Sequence, residues 1–207
     1  MKNLNPFVAS IMALLLIPLL FTSTPAQDAA ADAPIQFVVD KAHTEISFKV
    51  KHLGIAWVKG SFSDFEIDVN FDPENHENLM INTTIDVASI STRNEKRDGH
   101  LMSPDFFDAA KFPKMTFVSK NVTKVDDSNY KITGDLTIRD VTKEVVLDFA
   151  YYGMVTTPWG STNAAGTATT MINRMEYGLA WDKAIETGSL IAGDEVFISI
   201  DIEIMGQ

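Results

Sequence analysis

Cysteine is absent from the 207 residues. That excludes disulfides, a thiol nucleophile, thiolate metal ligands and lipid attachment at a cysteine behind the leader. Histidine is scarce: His43, His52, His76 and His100 are scattered with no close pair at ligand spacing, so no metal is expected. The nearest approaches to a ligand set are His43 with Glu45 on one strand face and Asp98 with His100 in a helical stretch. No Gly-x-Ser-x-Gly elbow occurs, and the glycines stand singly as turn residues, so neither an esterase-type nucleophile nor a phosphate loop is indicated. Basic residues number 17 against 28 acidic ones, a formal charge of −11. This balance disfavours nucleic acid and anionic membrane surfaces as direct partners. The lack of internal repeats argues against propellers and solenoids.

Long apolar runs are missing as well. The stretch from Ile11 to Phe21 is interrupted by Pro18 and falls well short of the roughly 20 residues that cross a hydrocarbon core. Preceded by Lys2 and followed by Thr24, Pro25 and Ala26, it reads as a secretory signal peptide over residues 1–26. Residues 27–34, rich in alanine and aspartate, read as a disordered lead-in, and residues 35–207 as one domain. Export is expected, to the periplasm of a double-membrane bacterium or beyond the cell.

What the chain does have is alternation. In FEIDVNFD, Phe65, Ile67, Val69 and Phe71 alternate with Glu66, Asp68, Asn70 and Asp72, which predicts a strand with one wet face. The same period recurs at Ile46 to Val50, Ile81 to Val87, Val145 to Tyr151 and Val196 to Ile204. Further strands are expected at Met115 to Val122, Tyr130 to Ile138 and Asn163 to Ile172, for a total of about eight. Short turns between them imply antiparallel neighbours. An all-β antiparallel barrel follows, because closure buries the apolar face and removes exposed edges. At about eight strands the interior is either filled by side chains or holds one small ligand.

Thr92 to Pro113 is the one helical stretch. Thr92 and Glu95 have capping-box spacing, and Ser103 with Pro104 offers a second start. Two short helical turns are therefore expected, and Leu101, Met102, Phe106, Phe107 and Phe112 give them enough apolar surface to act as a lid over an open barrel end. Arg93, Arg97, Asp98, Arg139 and Arg174 flank the lid or the strand ends, where an arginine either orients a polar head group or makes a surface ion pair.

Several ordered segments carry a family resemblance: VDKAHTEISFKVKHLGIAWVKGSFSDFEIDVNFD, SISTRNEKRDGHLMSPDFFDAAKFPKMTFVS, GDLTIRDVTKEVVLDF, PWG, INRMEYGL and GDEVFISIDIEI. Together they resemble the YceI-like family of exported, lipocalin-shaped proteins over nearly all of the chain behind the leader. The residues that recur in that family, His43, His52, Arg97, Asp98, Phe107, Pro113, Trp159 and Arg174, are present, while Asp140 stands where the family often has glycine. The resemblance implies an eight-stranded lipocalin-like barrel with a helical lid that binds a long-chain amphiphile: a polyisoprenoid, a quinone or a fatty amide. On that basis Phe48, Val50, Phe65, Ile67, Ile85, Phe117, Leu147, Phe149 and Ile198 are expected to line the interior, with Phe106 and Phe107 near the mouth. His43, His52, Arg97, Asp98 and Arg174 are the head-group candidates. The implied role is transport, storage or presentation of the lipid, with no cofactor, no catalytic residue and at most a transient contact with a membrane or membrane enzyme. Two alternatives stay open at this level: a solid-core protein interaction module, and a lipid- or quinone-modifying enzyme using Asp98 and His100 as acid and base.

Overall fold

The computed structural model describes residues 36–183 and 191–207. The expected leader and the whole of the lead-in lie outside the described residues. The strands are β1 Phe37–Val39, β2 Glu45–His52, β3 Ala56–Phe62, β4 Phe65–Asn70, β5 Met80–Asp86 and β6 Ile90–Ser91. After the helix α1, Glu95–Met102, come β7 Lys114–Lys124, β8 Asn129–Ile138, β9 Val141–Thr156, β10 Thr162–Asn173 and β11 Ala192–Gly206. All pairings are antiparallel, in the order β4-β5-β7-β8-β9-β10-β11-β2-β3-β6, with β1 also on β11. The sheet curls so that the inward residues of its strands meet across one interior.

All eight expected strands are present, and the count rises to eleven through β1, β6 and β3. The first two have three and two residues, too short for a periodic signal. β3 is longer but reads AWVKGSF, with Gly60 in an inward position where a large apolar residue would have marked the period. Its hairpin with β2 turns through Leu53 and Gly54, at φ 53° and 74°. Left-handed backbone at both central residues is the hairpin turn whose twist matches its strands.

The lid region departs from expectation in two ways. Asn94, not Thr92, caps α1 and accepts from the Arg97 N–H at 3.0 Å. Thr92 is withdrawn from capping because its hydroxyl and N–H both donate to Asp98 Oδ1. Ser103 starts no second helix; it ends α1, and residues 103–112 form successive turns. Proline at 104 supplies a helical φ, but Asp108 at φ 52° reverses the chain before a helix can grow.

Candidate functional site

The inward face does not fill its own interior. A cavity of about 530 Å³ runs within the curled sheet, lined chiefly by aliphatic and aromatic side chains. Volumes of roughly 300–1,000 Å³ are typical of small-molecule sites. One end is plugged: Phe37 packs edge-on to Phe71 with centroids 5.2 Å apart, and His76 stacks on Phe71 and donates to or accepts from the Tyr130 hydroxyl at 2.8 Å. The other end carries α1 and the turns behind it. Phe106 is buried there, tilted on Trp181 at 5.5 Å, and Phe107 meets Phe62 edge-on at 6.1 Å.

Three phenylalanines shape the bore. A Cβ placed on Gly60, Gly134 or Gly166 would come within 2.5 Å of the ring of Phe48, Phe117 or Phe149 respectively. Each ring therefore folds along the wall, over a glycine of the next strand, instead of projecting into the centre. β10 is poor in large residues, and its Gly166 serves this arrangement.

Of the residues expected to line the interior, Phe48, Val50, Ile67, Ile85, Phe117, Leu147, Phe149 and Ile198 do so, as do Phe106 and Phe107 at the mouth. Phe65 points inward but lies outside the cavity, packed into the core cluster with Phe62 and Ile85. Ile132, Leu136, Ile138, Leu179 and Trp181 also line it. The alternation of β8 would have identified the first three. Leu179 and Trp181 follow a 3-10 turn and carry no periodic signal.

The head-group candidates separate. His52, Arg97 and Arg174 reach the cavity; Asp98 and His43 do not. Asp98 is occupied as the acceptor for Thr92, and Arg97 donates from Nε to Thr92 Oγ1 at 2.6 Å and from Nη2 to Thr92 O at 2.8 Å. Arg174 is 4 % exposed and donates to the carbonyls of Gly193, Ala192 and Leu179 and to the Asp194 carboxylate. Burial pulls its pKa down, opposed by Asp194 and Asp182. The acid and base of the enzymatic alternative are not paired with each other: His100 Nε2 faces Asp105 Oδ2 at 2.9 Å while Asp98 serves Thr92.

His43 is on the outside, near Glu203 and far along β11 from Arg174's partners. Its Nδ1 lies 2.7 Å from Asp40 Oδ2. Ligand atoms of Asp40, His43 and Glu203 fall within 4.8 Å of one another, but Asp40 also caps the turn at Ala42 and Glu203 accepts from Asn163 Nδ2 at 2.6 Å. The hydrogen bond to Asp40 raises the His43 pKa, and the hydrogen bond to His43 lowers that of Asp40. The raised imidazole favours the fold at low pH and loses that contribution as pH rises through its folded value. The depressed carboxyl loses its own as pH falls through its folded value. The pair is thus intact between the two. An NMR titration is expected to place the His43 midpoint above 6.5, with Asp40→Asn returning it toward that value. An unchanged midpoint in the variant would remove Asp40 as the cause.

The family model for the YceI-like domain matches residues 37–204. A UPF0312 protein of Staphylococcus aureus strain USA300 is 40 % identical over 161 residues, 77 % of this chain and 91 % of its own length. Among solved structures, the Campylobacter jejuni YceI protein is 38 % identical with a TM-score of 0.66, covering 81 % of this chain and 96 % of that one. Burkholderia cenocepacia BcnA is 26 % identical with a TM-score of 0.68, covering 80 % and 98 %. A polyisoprenoid-binding domain from Saccharophagus degradans, 14 % identical with a TM-score of 0.61 over 84 % and 99 %, shares the fold. With a family match from β1 to β11 and relatives near 40 % identity along most of their own length, the chain belongs to the YceI-like family.

Proposed function

We propose that the protein is an exported binding protein that holds a long-chain amphiphile, of the polyisoprenoid kind, inside the curled sheet for transport, storage or presentation, without covalent chemistry. The observation that carries this reading is the apolar cavity of about 530 Å³. A solid-core interaction module has no use for such a space. The description of the S. degradans domain as polyisoprenoid-binding, on the same fold, supports the choice of ligand class.

Burying a five-carbon prenyl unit contributes up to about 4 kcal/mol, at roughly 0.8 kcal/mol per carbon, before ordering costs. Two or three such units suffice for tight binding, and the finite lumen then selects chain length. Entry runs through the α1 end, because α1 has no fully buried residue and is held by Leu101 and Met102 packed on the core and by the contacts of Arg97 and Asp98 with Thr92. Ile55, 84 % exposed at the β2–β3 turn next to His52, and the half-exposed Trp57 offer an apolar contact with a bilayer while cargo passes. The leader read from residues 1–26 supports export, to the periplasm of a double-membrane bacterium or beyond the cell.

Native mass spectrometry of the purified protein, followed by organic extraction, tests the reading. The expected result is one long-chain amphiphile per chain, released on denaturation. A protein that is always empty and takes up no added prenyl chain would overturn it.

A further inference from the structure

The lysines of the sheet fall into two sets. On β7, β8 and β9, Lys114, Lys120, Lys124, Lys131 and Lys143 each face a carboxylate at 2.6–3.0 Å. On β2 and β3, Lys49, Lys51 and Lys59 face none among the described residues. Two of them rest on rings instead: Lys49 Nζ is 4.3 Å from the Phe197 centroid and 5.1 Å from that of Trp57, and Lys51 Nζ is 4.3 Å from Trp57. A ring holds an ammonium without neutralising it.

The register makes this arrangement costly. Lys49 stands directly opposite Lys59 across the β2–β3 ladder, and like charges so placed destabilise a sheet. In a chain with 28 acidic residues against 17 basic ones, carboxylates to separate them are not in short supply. Of the two carboxylates bordering the depression beside Lys51, Trp57 and Phe197, Asp194 is held by Arg174, and the exposed Glu195 pairs with no cation among the described residues. Three lysines against Glu195 leave this corner positive. Along β2 the charge then changes sign, from Lys51 and Lys49 through Ser47 to Glu45, which lies opposite Asp201 on β11.

The corner sits on the outer wall beside the cavity mouth. Lys49 and Lys51 alternate with Phe48, Val50 and His52, which line the cavity. At the hairpin turn just beyond, Ile55 is 84 % exposed, and Trp57 follows at 47 %. An isoleucine at a turn tip adds nothing to the core.

We infer that this corner, Ile55 and Trp57 with Lys49, Lys51 and Lys59, docks the protein on a bilayer containing anionic phospholipid. The purpose of such docking rests on the carrier reading, in which cargo passes at the α1 end. The lysines meet the negative surface potential, Trp57 the head-group level where indole rings collect, and Ile55 the acyl boundary beneath. A folded acidic partner would match the charge but would need a pocket shaped to the projecting Ile55; a bilayer needs none. The formal charge of −11 does not oppose this at short range. Screening confines a charge to about 8 Å at physiological salt, and Glu45 is about 13 Å of strand away from Lys49.

Co-sedimentation of the purified protein with phosphatidylcholine vesicles, with and without phosphatidylglycerol, is the test. Binding is expected to be at least about tenfold tighter with phosphatidylglycerol and to be released by high salt. Lys49→Gln with Lys59→Gln is expected to weaken it about thirtyfold, at roughly fivefold per lysine. The urea midpoint of that variant stays level or rises, because the opposed charges are gone. Lys120→Gln with Lys131→Gln changes the net charge equally elsewhere on the sheet and is expected to bind as wild type. Equal binding to both vesicle types, binding to neither, an undiminished Lys49/Lys59 variant or an equal loss in the control overturns the inference. Saturable binding of polyglutamate without binding of vesicles also overturns it, and assigns the corner to an acidic polypeptide. Native mass spectrometry keeps the two readings apart: a loaded protein that ignores vesicles removes the docking surface alone, and an empty one that docks on phosphatidylglycerol removes the carrier reading alone.

Discussion

Replacing Arg174 with alanine is expected to lower the unfolding free energy by about 3–5 kcal/mol, the range found when one partner of a buried charged network is removed. The side chain is 4 % exposed and spans two segments that are distant in sequence. Nε donates to Gly193 O at 2.9 Å, Nη2 to Ala192 O at 3.0 Å and to Asp194 Oδ1 at 3.2 Å, and Nη1 to Leu179 O. Truncation leaves those carbonyls without donors in a dry setting, each costing about 1–3 kcal/mol when water cannot reach it. It also frees the first residues of β11 from the turn that follows β10. Lysine is expected to recover only part of the loss, because one ammonium cannot serve acceptors on both segments as a planar fork does. Urea unfolding is the measurement, with the midpoint falling and the slope unchanged. In heat the same loss appears as a shift of roughly 6–20 °C for a domain of this size. A change below about 1 kcal/mol would mean that water replaces the guanidinium at its carbonyls.

Ile200→Glu is expected to weaken binding of a neutral prenyl chain by up to about 500-fold at pH 7. Ile200 lies midway along β11, lines the cavity and packs against both halves of the core. A carboxyl covered there by an apolar chain must be neutral. With an ordinary glutamate value near 4.3 in the free protein, protonating it at pH 7 costs about 3.7 kcal/mol. The bound state raises the carboxyl's pKa, so affinity is unpenalised well below the free value and falls about tenfold per pH unit above it. Ile200→Gln removes the pH dependence and keeps only the smaller cost of an amide. Titrating Trp181 fluorescence with geranylgeraniol between pH 4.5 and 8 distinguishes them. Wild-type affinity in Ile200→Glu at pH 8 would show that the chain does not pass this point of the wall.

Strands with a wet outer face were legible because burial on one side writes itself as alternation. β4, where Phe65, Ile67 and Val69 alternate with Glu66, Asp68 and Asn70, is the clearest case. β3 was illegible because its inward row reads Val58, Gly60, Phe62, and the empty slot at Gly60 is explained only by the Phe48 ring on the neighbouring strand. The helix cap was misplaced for a similar reason: Thr92 has the chemistry of a cap, but contacts with Arg97 and Asp98 redirect its hydroxyl. At the candidate site, the apolar wall could be read from period alone, whereas the polar groups could not. His43, Asp98 and Arg174 look equivalent in sequence, and only their three-dimensional partners separate an outer ion pair, a turn anchor and an inter-segment clamp.

The rings of Phe48, Phe117 and Phe149 lie over glycines on adjacent strands. Cavity width and cavity chemistry are thereby governed by different residues: the phenylalanines present the surface that cargo touches, and a hydrogen atom behind each ring sets how far that surface stands back. A methyl at Gly60, where the obstruction is Phe48 and Thr92 side chains and no backbone, would swing one ring inward and narrow the lumen without changing any group at its surface. Relatives with the same lining and different residues at this one position would then accept cargo of different girth, so the calibre of the site can drift while its list of lining residues stays constant.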